Sequence, residues 1–212
     1  MADTKISALS ASAAMLDATE VPVNEAGTTK KVSGTLFKAW FGDSLSNAST
    51  ADQSPAAATA TYLTNSNIAV PTGKLRIGTV FTWRLAVAKT AAGTLANTII
   101  VKAGTLGTTG DTSILTFTTD AGTAVADQAV MDILVTCRGP LSASGIFQGM
   151  FKMTSELSAT GFRSVAGKNH VLHVTSGAFD VTTASLILGI VSTSDASTLL
   201  TFKQVVAEVK NL

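Results

Sequence analysis

The sequence predicts an all-β protein: a jelly-roll-like β-sandwich preceded by a small N-terminal arm or hairpin. Three observations carry that prediction. Apolar and polar residues alternate with a period of two over several stretches, the signature of a sheet with one face in a core. Glycine- and threonine-rich turns separate these stretches at intervals of roughly 8 to 15 residues. No long segment carries the 3.6-residue period of an amphipathic helix.

The clearest strand is Thr79 to Lys89, where Phe81, Trp83, Leu85 and Val87 share one face and Thr82, Arg84, Ala86 and Ala88 the other. Asn97 to Ala103 and Ser113 to Thr119 follow, joined through the glycine-rich run Gly104 to Gly110. Ala129 to Arg138 is largely apolar on both faces, as an interior strand should be. Gly145 to Glu156 sets Phe147, Gly149, Phe151 and Met153 against Ile146, Gln148, Met150 and Lys152. Val171 to Thr175, Ala184 to Thr193 and Leu199 to Val209 complete a set of about eight strands, which a two-sheet jelly roll accommodates. In the last strand Leu200 and Phe202 have one parity, and Val205, Ala207 and Val209 the other. A β-bulge near Lys203-Gln204 reconciles them.

Three zones divide the chain: an N-terminal segment 1–41, a linker or arm 42–60, and the sandwich 61–212. In the first zone Val21-Pro22-Val23 reads as a short extended piece, because Pro22 holds its own φ and biases Val21 away from helix. Turn residues Glu25 to Thr28 and the piece Lys30 to Ser33 complete a hairpin. Residues 42–60 are Ser, Asn, Thr and Ala with Pro55, and have too little apolar mass to offset ordering entropy alone.

Charged residues are 14% of the 212, against a usual level of about 25%. With hydrophobic residues at 46%, so little charge points either to surface covered by other subunits or to a sandwich solvated by Ser and Thr. The net charge of +1 and the lack of basic runs give no support to nucleic-acid binding. No run of about 18 apolar residues is present to cross a membrane as a helix. Met1 to Lys5 lacks the pattern of a signal peptide, so the chain is expected to be made in the cytoplasm.

No catalytic, cofactor or metal residue is assigned. His170 and His173 are three apart in a strand-forming context, which turns their imidazoles to opposite faces. Cys137, the single cysteine, sits in an apolar strand and reads as an inert buried thiol. Gly104 to Gly110 lies between two strands and reads as a long turn rather than a phosphate loop. Asp17/Glu20 and Asp127/Asp132 are the nearest carboxylate pairs, without an aromatic sugar platform beside them. Phe37, Trp40 and Phe41 lie outside the strand pattern. They either cap their own core or anchor the N-terminal segment in a partner, and the second use is favoured.

The first 33 residues resemble a segment that opens many tailed-bacteriophage virion proteins. The resemblance runs through Lys5-Ile6-Ser7, Leu9, Leu16, Glu20, Val21-Pro22-Val23, Gly27-Thr28 and Lys31-Val32-Ser33. Gly78 to Arg84, Lys89 to Thr94, Ala159 to Phe162 and Gln204 to Val209 are similar to phage structural β-domains. In that family the N-terminal segment plugs the protein into the particle. The resemblance therefore implies a virion structural protein, a capsid decoration or head-fibre protein, forming a homotrimer on the major capsid protein or another virion protein. Ile6, Leu9, Leu16, Val21, Val23, Val32, Phe37, Trp40 and Phe41 are the expected partner-binding residues. The alternative within the family is a tail-side adaptor or short tail fibre, and outside it a glycan-active enzyme.

Overall fold

A computed structural model of the chain describes residues 20–25, 28–33, 45–91, 93–165, 170–193 and 200–212. The chain divides into two units, Met1–Asp43 and Ser44–Leu212. In the first, β1 (Glu20–Glu25) and β2 (Thr28–Ser33) pair antiparallel, with Val21 opposite Val32 and Val23 opposite Lys30. This is the expected hairpin.

The second unit is a sandwich of two antiparallel sheets. Its strands are β3 (Ser46–Ser49), β4 (Ala60–Tyr62), β5 (Ile68–Ala69), β6 (Val80–Lys89), β7 (Thr98–Gly104) and β8 (Thr112–Thr118). They continue as β9 (Asp127–Gly139), β10 (Ile146–Ser155), β11 (His170–Thr175), β12 (Ile187–Thr193) and β13 (Leu200–Lys210). One sheet has the order β11-β10-β9-β6-β13-β3; the other runs β4-β12-β7-β8, with β5 also on β12. The pairs β6–β13, β7–β12 and β9–β10 are nested. A long hairpin rolled up on itself produces that nesting, which makes the sandwich jelly-roll-like. The remaining strands, β8 and β11, end their respective sheets instead of pairing with each other.

The eight strands read from alternation are β6 to β13. Their inward residues form the core: Phe81, Trp83, Phe117, Phe147, Phe151 and Phe202 are all fully buried. Phe117 of one sheet stacks on Phe151 of the other with ring centroids 5.6 Å apart. The bulge expected in the last strand is present: Phe202 pairs Val87 but Gln204 pairs Ala86, leaving Lys203 as the extra residue. Leu200, Phe202, Val205, Ala207 and Val209 thereby all face inward.

Within the expected linker or arm 42–60, Ser46–Ser49 forms β3 at the edge of the six-stranded sheet. β3 pairs β13 from Val205↔Ser49 to Glu208↔Ser46, and Gln53 bridges Phe202. The side-chain amides finish the seam. Asn65 donates to the Ala48 carbonyl at 2.8 Å, and Gln53 clasps both backbone groups of Thr64. A strand so poor in apolar residues is held because it adds to a sheet edge already formed, where backbone donors and acceptors await partners.

Candidate functional site

Three of the expected partner-binding residues, Val21, Val23 and Val32, fall on the N-terminal hairpin. Val21 and Val32 are directly opposed across β1 and β2, and Val23 lies two residues along β1 from Val21. Alternation places Val21 and Val23 at positions of one parity. Ile6, Leu9, Leu16, Phe37, Trp40 and Phe41 lie outside the described residues.

The six-stranded sheet presents an outer face that crosses β11, β10, β9, β6 and β13. One row across it runs Val171, Lys152, Asp132, Arg84 and Val206; the next runs His173, Met150, Leu134, Thr82 and Glu208. Val130, Met150 and Val171 stand 39%, 42% and 49% exposed. Arg84 Nε donates to Asp132 Oδ1 at 2.8 Å, and that hydrogen bond, then the charge itself, holds the guanidinium above its ordinary pKa. An exposed pair of this kind contributes little to stability. The largely apolar pattern of Ala129 to Arg138 predicts an interior strand, and β9 lies between β10 and β6. Only the assembled sheet shows which residues share its outer face.

The polar residues that sequence singled out are placed by the strands as follows. His170 is buried and His173 exposed, as opposite faces of β11 require. His170 Nδ1 lies 3.7 Å from Asp120 Oδ2 and accepts from the Asp120 amide at 3.4 Å. Cys137 is fully buried, and burial pushes its thiol pKa up, which disfavours the thiolate needed for nucleophilic chemistry. The run Gly104 to Gly110 is a turn closed by Asp111, whose carboxylate accepts from the amides of Leu106, Gly107 and Thr108. Asp132 pairs with Arg84, so Asp127 and Asp132 serve different neighbours.

Sequence reading missed a buried polar knot where Lys89 of β6 pairs Asp127 of β9. Lys89 Nζ donates to the carbonyls of Thr123 (2.6 Å), Val125 (3.0 Å) and Thr90 (3.3 Å). Asp127 accepts from the amides of Gln128, Leu157 and Phe162. Burial lowers the Lys89 pKa, and the Asp127 charge opposes that shift. Each group is engaged in holding loop backbone, so the knot ties the end of the sandwich together. A charged residue at each end of the inward pattern, Lys89 after Val87 and Asp127 before Ala129, was the signal available in sequence.

Among the described residues no three His, Cys, Asp or Glu side chains stand together to hold a metal ion. No helix there is long and apolar enough to cross a membrane. Comparison with known proteins finds no family model that matches the chain, and no curated protein that matches it.

Proposed function

We propose that this chain is a non-enzymatic structural protein of a phage particle. In this reading the N-terminal arm grips the capsid lattice, and a trimer of sandwiches decorates and stabilises the shell outside it. The observation that carries the proposal is the division at Asp43/Ser44. In front of it, Val21-Pro22-Val23 and Lys31-Val32-Ser33, the pieces that resemble a virion attachment segment, form a hairpin of their own. Behind it stands a sandwich with its own closed core.

The mechanism is mass action. Each bound copy adds stability to the lattice state it prefers. An interface of about 800 Å² per partner supplies on the order of 20 kcal/mol of gross apolar driving force, most of it offset by ordering and lost motion. The exposed Val130, Met150 and Val171 on one sheet face also support contact between sandwiches.

The test is a chain lacking residues 1–43, mixed with particles that lack the protein. The sandwich should keep its cooperative thermal transition and lose particle binding; binding retained at full strength would overturn the arm's role. Copy number in purified particles separates the shell from the tail. Hundreds of copies fit decoration, and a handful would assign the chain to a tail-side adaptor or short fibre.

A further inference from the structure

We propose that two copies of this chain join antiparallel through β11, so that the six-stranded sheet of one sandwich continues into that of the next. The contact involves the two sandwiches alone, and it stands whether or not the N-terminal hairpin grips a capsid. β11 ends its sheet, with β10 on one side. The Ser176 amide donates to the Phe147 carbonyl at 2.9 Å, and the register from Gln148↔Thr175 to Met153↔His170 continues that pair without a shift. Antiparallel bonding alternates along a strand, so His170, Leu172 and Val174 turn their backbone groups to β10. Val171, His173 and Thr175 turn theirs to the open side, each with one N–H and one carbonyl. Among the described residues no backbone group pairs with them there.

The other sheet edges are guarded in ways that β11 is not. β3 is four residues long, and the Asn65 side chain already occupies its Ala48 carbonyl. β4 and β5 are three and two residues long. β8 is bulged, since Leu115 pairs Val101 but Ser113 pairs Lys102, leaving Ile114 as the extra residue. Short, capped or bulged edges resist the addition of a strand. β11 runs six residues, HVLHVT, with no register shift, no proline, no lysine and no carboxylate. A regular edge of that composition is a template for strand pairing.

The strand that fits this edge is β11 itself. Paired antiparallel about His173, it sets His173 opposite His173 of the second copy, and Val171 opposite Thr175 of the second copy. Only this register engages all three outward residues of both chains, and each facing pair exchanges both of its backbone bonds. On the inner face it sets Leu172 opposite Val174 of the second copy. Both side chains are half-buried at the open margin of their own core, so each sandwich covers the apolar margin of the other. On the outer face the exposed Val171, His173 and Thr175 meet without placing an acidic residue, a lysine or an arginine opposite its like. The match follows from symmetry, because a two-fold axis at His173 makes the edge complementary to itself. The contact is small, so the dimer is weak and is best read by covalent trapping.

The experiment is oxidative cross-linking of full-length cysteine variants with copper-phenanthroline, read on non-reducing gels. Cys137, the single native cysteine, is buried and gives the background lane. Facing residues of a bonded pair have Cα atoms about 5.5 Å apart, within disulfide reach. His173→Cys should therefore give a covalent dimer. Val171→Cys alone and Thr175→Cys alone should not, because each lies four residues, about 13 Å, from its own copy. A mixture of those two variants should cross-link to each other. His173→Lys sets like charges on the axis, and added to Val171→Cys and to Thr175→Cys it should lower the yield of the mixture about tenfold. All three positions are exposed, and an unchanged thermal transition excludes misfolding; should His173→Cys unfold, the mixture tests the same register. Equal yields at all three single positions, or no dimer from either His173→Cys or the mixture, would overturn the proposal. A trimer built through another surface yields neither cross-link, and particle binding by the full-length chain is read separately.

Discussion

Trp83 Nε1 donates to the backbone carbonyl of Ser66 at 2.6 Å in the middle of the sandwich, with both residues fully buried. The Ser66 hydroxyl extends the link. It donates to the Leu63 carbonyl at 2.7 Å and accepts from the Ile190 amide at 3.0 Å. Ser66 thus ties β6 of one sheet to β12 of the other through a loop that belongs to neither.

Ser66→Ala is therefore expected to destabilise the sandwich by about 1–3 kcal/mol. It leaves the buried Ile190 amide without its acceptor, while the Trp83 bond to the backbone survives. Chemical denaturation followed by circular dichroism measures the loss. A change within experimental error would show that Ser66 is not the hub described.

Tyr62, the single tyrosine, reports on the outer side of the smaller sheet. Among the described residues its hydroxyl is buried without a hydrogen-bond partner, and burial followed by the charge of Asp111 raises its pKa to about 12. Absorbance at 295 nm should titrate near that value in the folded chain and near the ordinary 10.0 when unfolded. The folded state then holds the proton more tightly than the unfolded state. Stability is full below the unfolded value and declines as pH rises toward the folded one. Tyr62→Phe should remove that decline and cost nothing at neutral pH, because it deletes an unsatisfied hydroxyl.

Gly149 is required by the distance between the sheets. A Cβ there would come within 2.7 Å of both Leu115 Cδ1 and Phe117 Cζ on the facing sheet. Gly149→Ala should cost about 1–3 kcal/mol through overpacking. Combining it with Phe117→Leu should cost less than the sum of the two single changes, since the smaller side chain vacates part of the contested space. Strict additivity in denaturation experiments would contradict this packing.

Lys203 tests the bulge. Its side chain is exposed and pairs with Asp52 at 2.5 Å on the surface, so Lys203→Ala should change stability by less than about 0.5 kcal/mol. Deleting the residue is a different matter. The register beyond it shifts by one, turning Val205, Ala207 and Val209 out of the core and Val206 and Glu208 in. The deletion should abolish the cooperative thermal transition that the substitution leaves intact.

Much of this architecture is legible along the chain. Phe81, Trp83, Leu85 and Val87 point inward because a strand with one buried face must repeat every two residues. The same rule separated His170 from His173 and located the irregularity at Lys203. These are local consequences of pleat geometry, so neighbouring residues suffice to reveal them.

What tertiary structure decided is of another kind. Ser46 to Ser49 carries no apolar pattern, and becomes a strand only because β13, more than 150 residues later, offers it an open edge. Lys89 and Asp127 meet only because β6 and β9 are neighbours in the sheet. A pocket beside Leu141 exists only where three loops, distant in sequence, converge. Alternation records which way a side chain faces. It carries no record of which backbone lies beside it, since pairing partners are selected by the whole folded sheet.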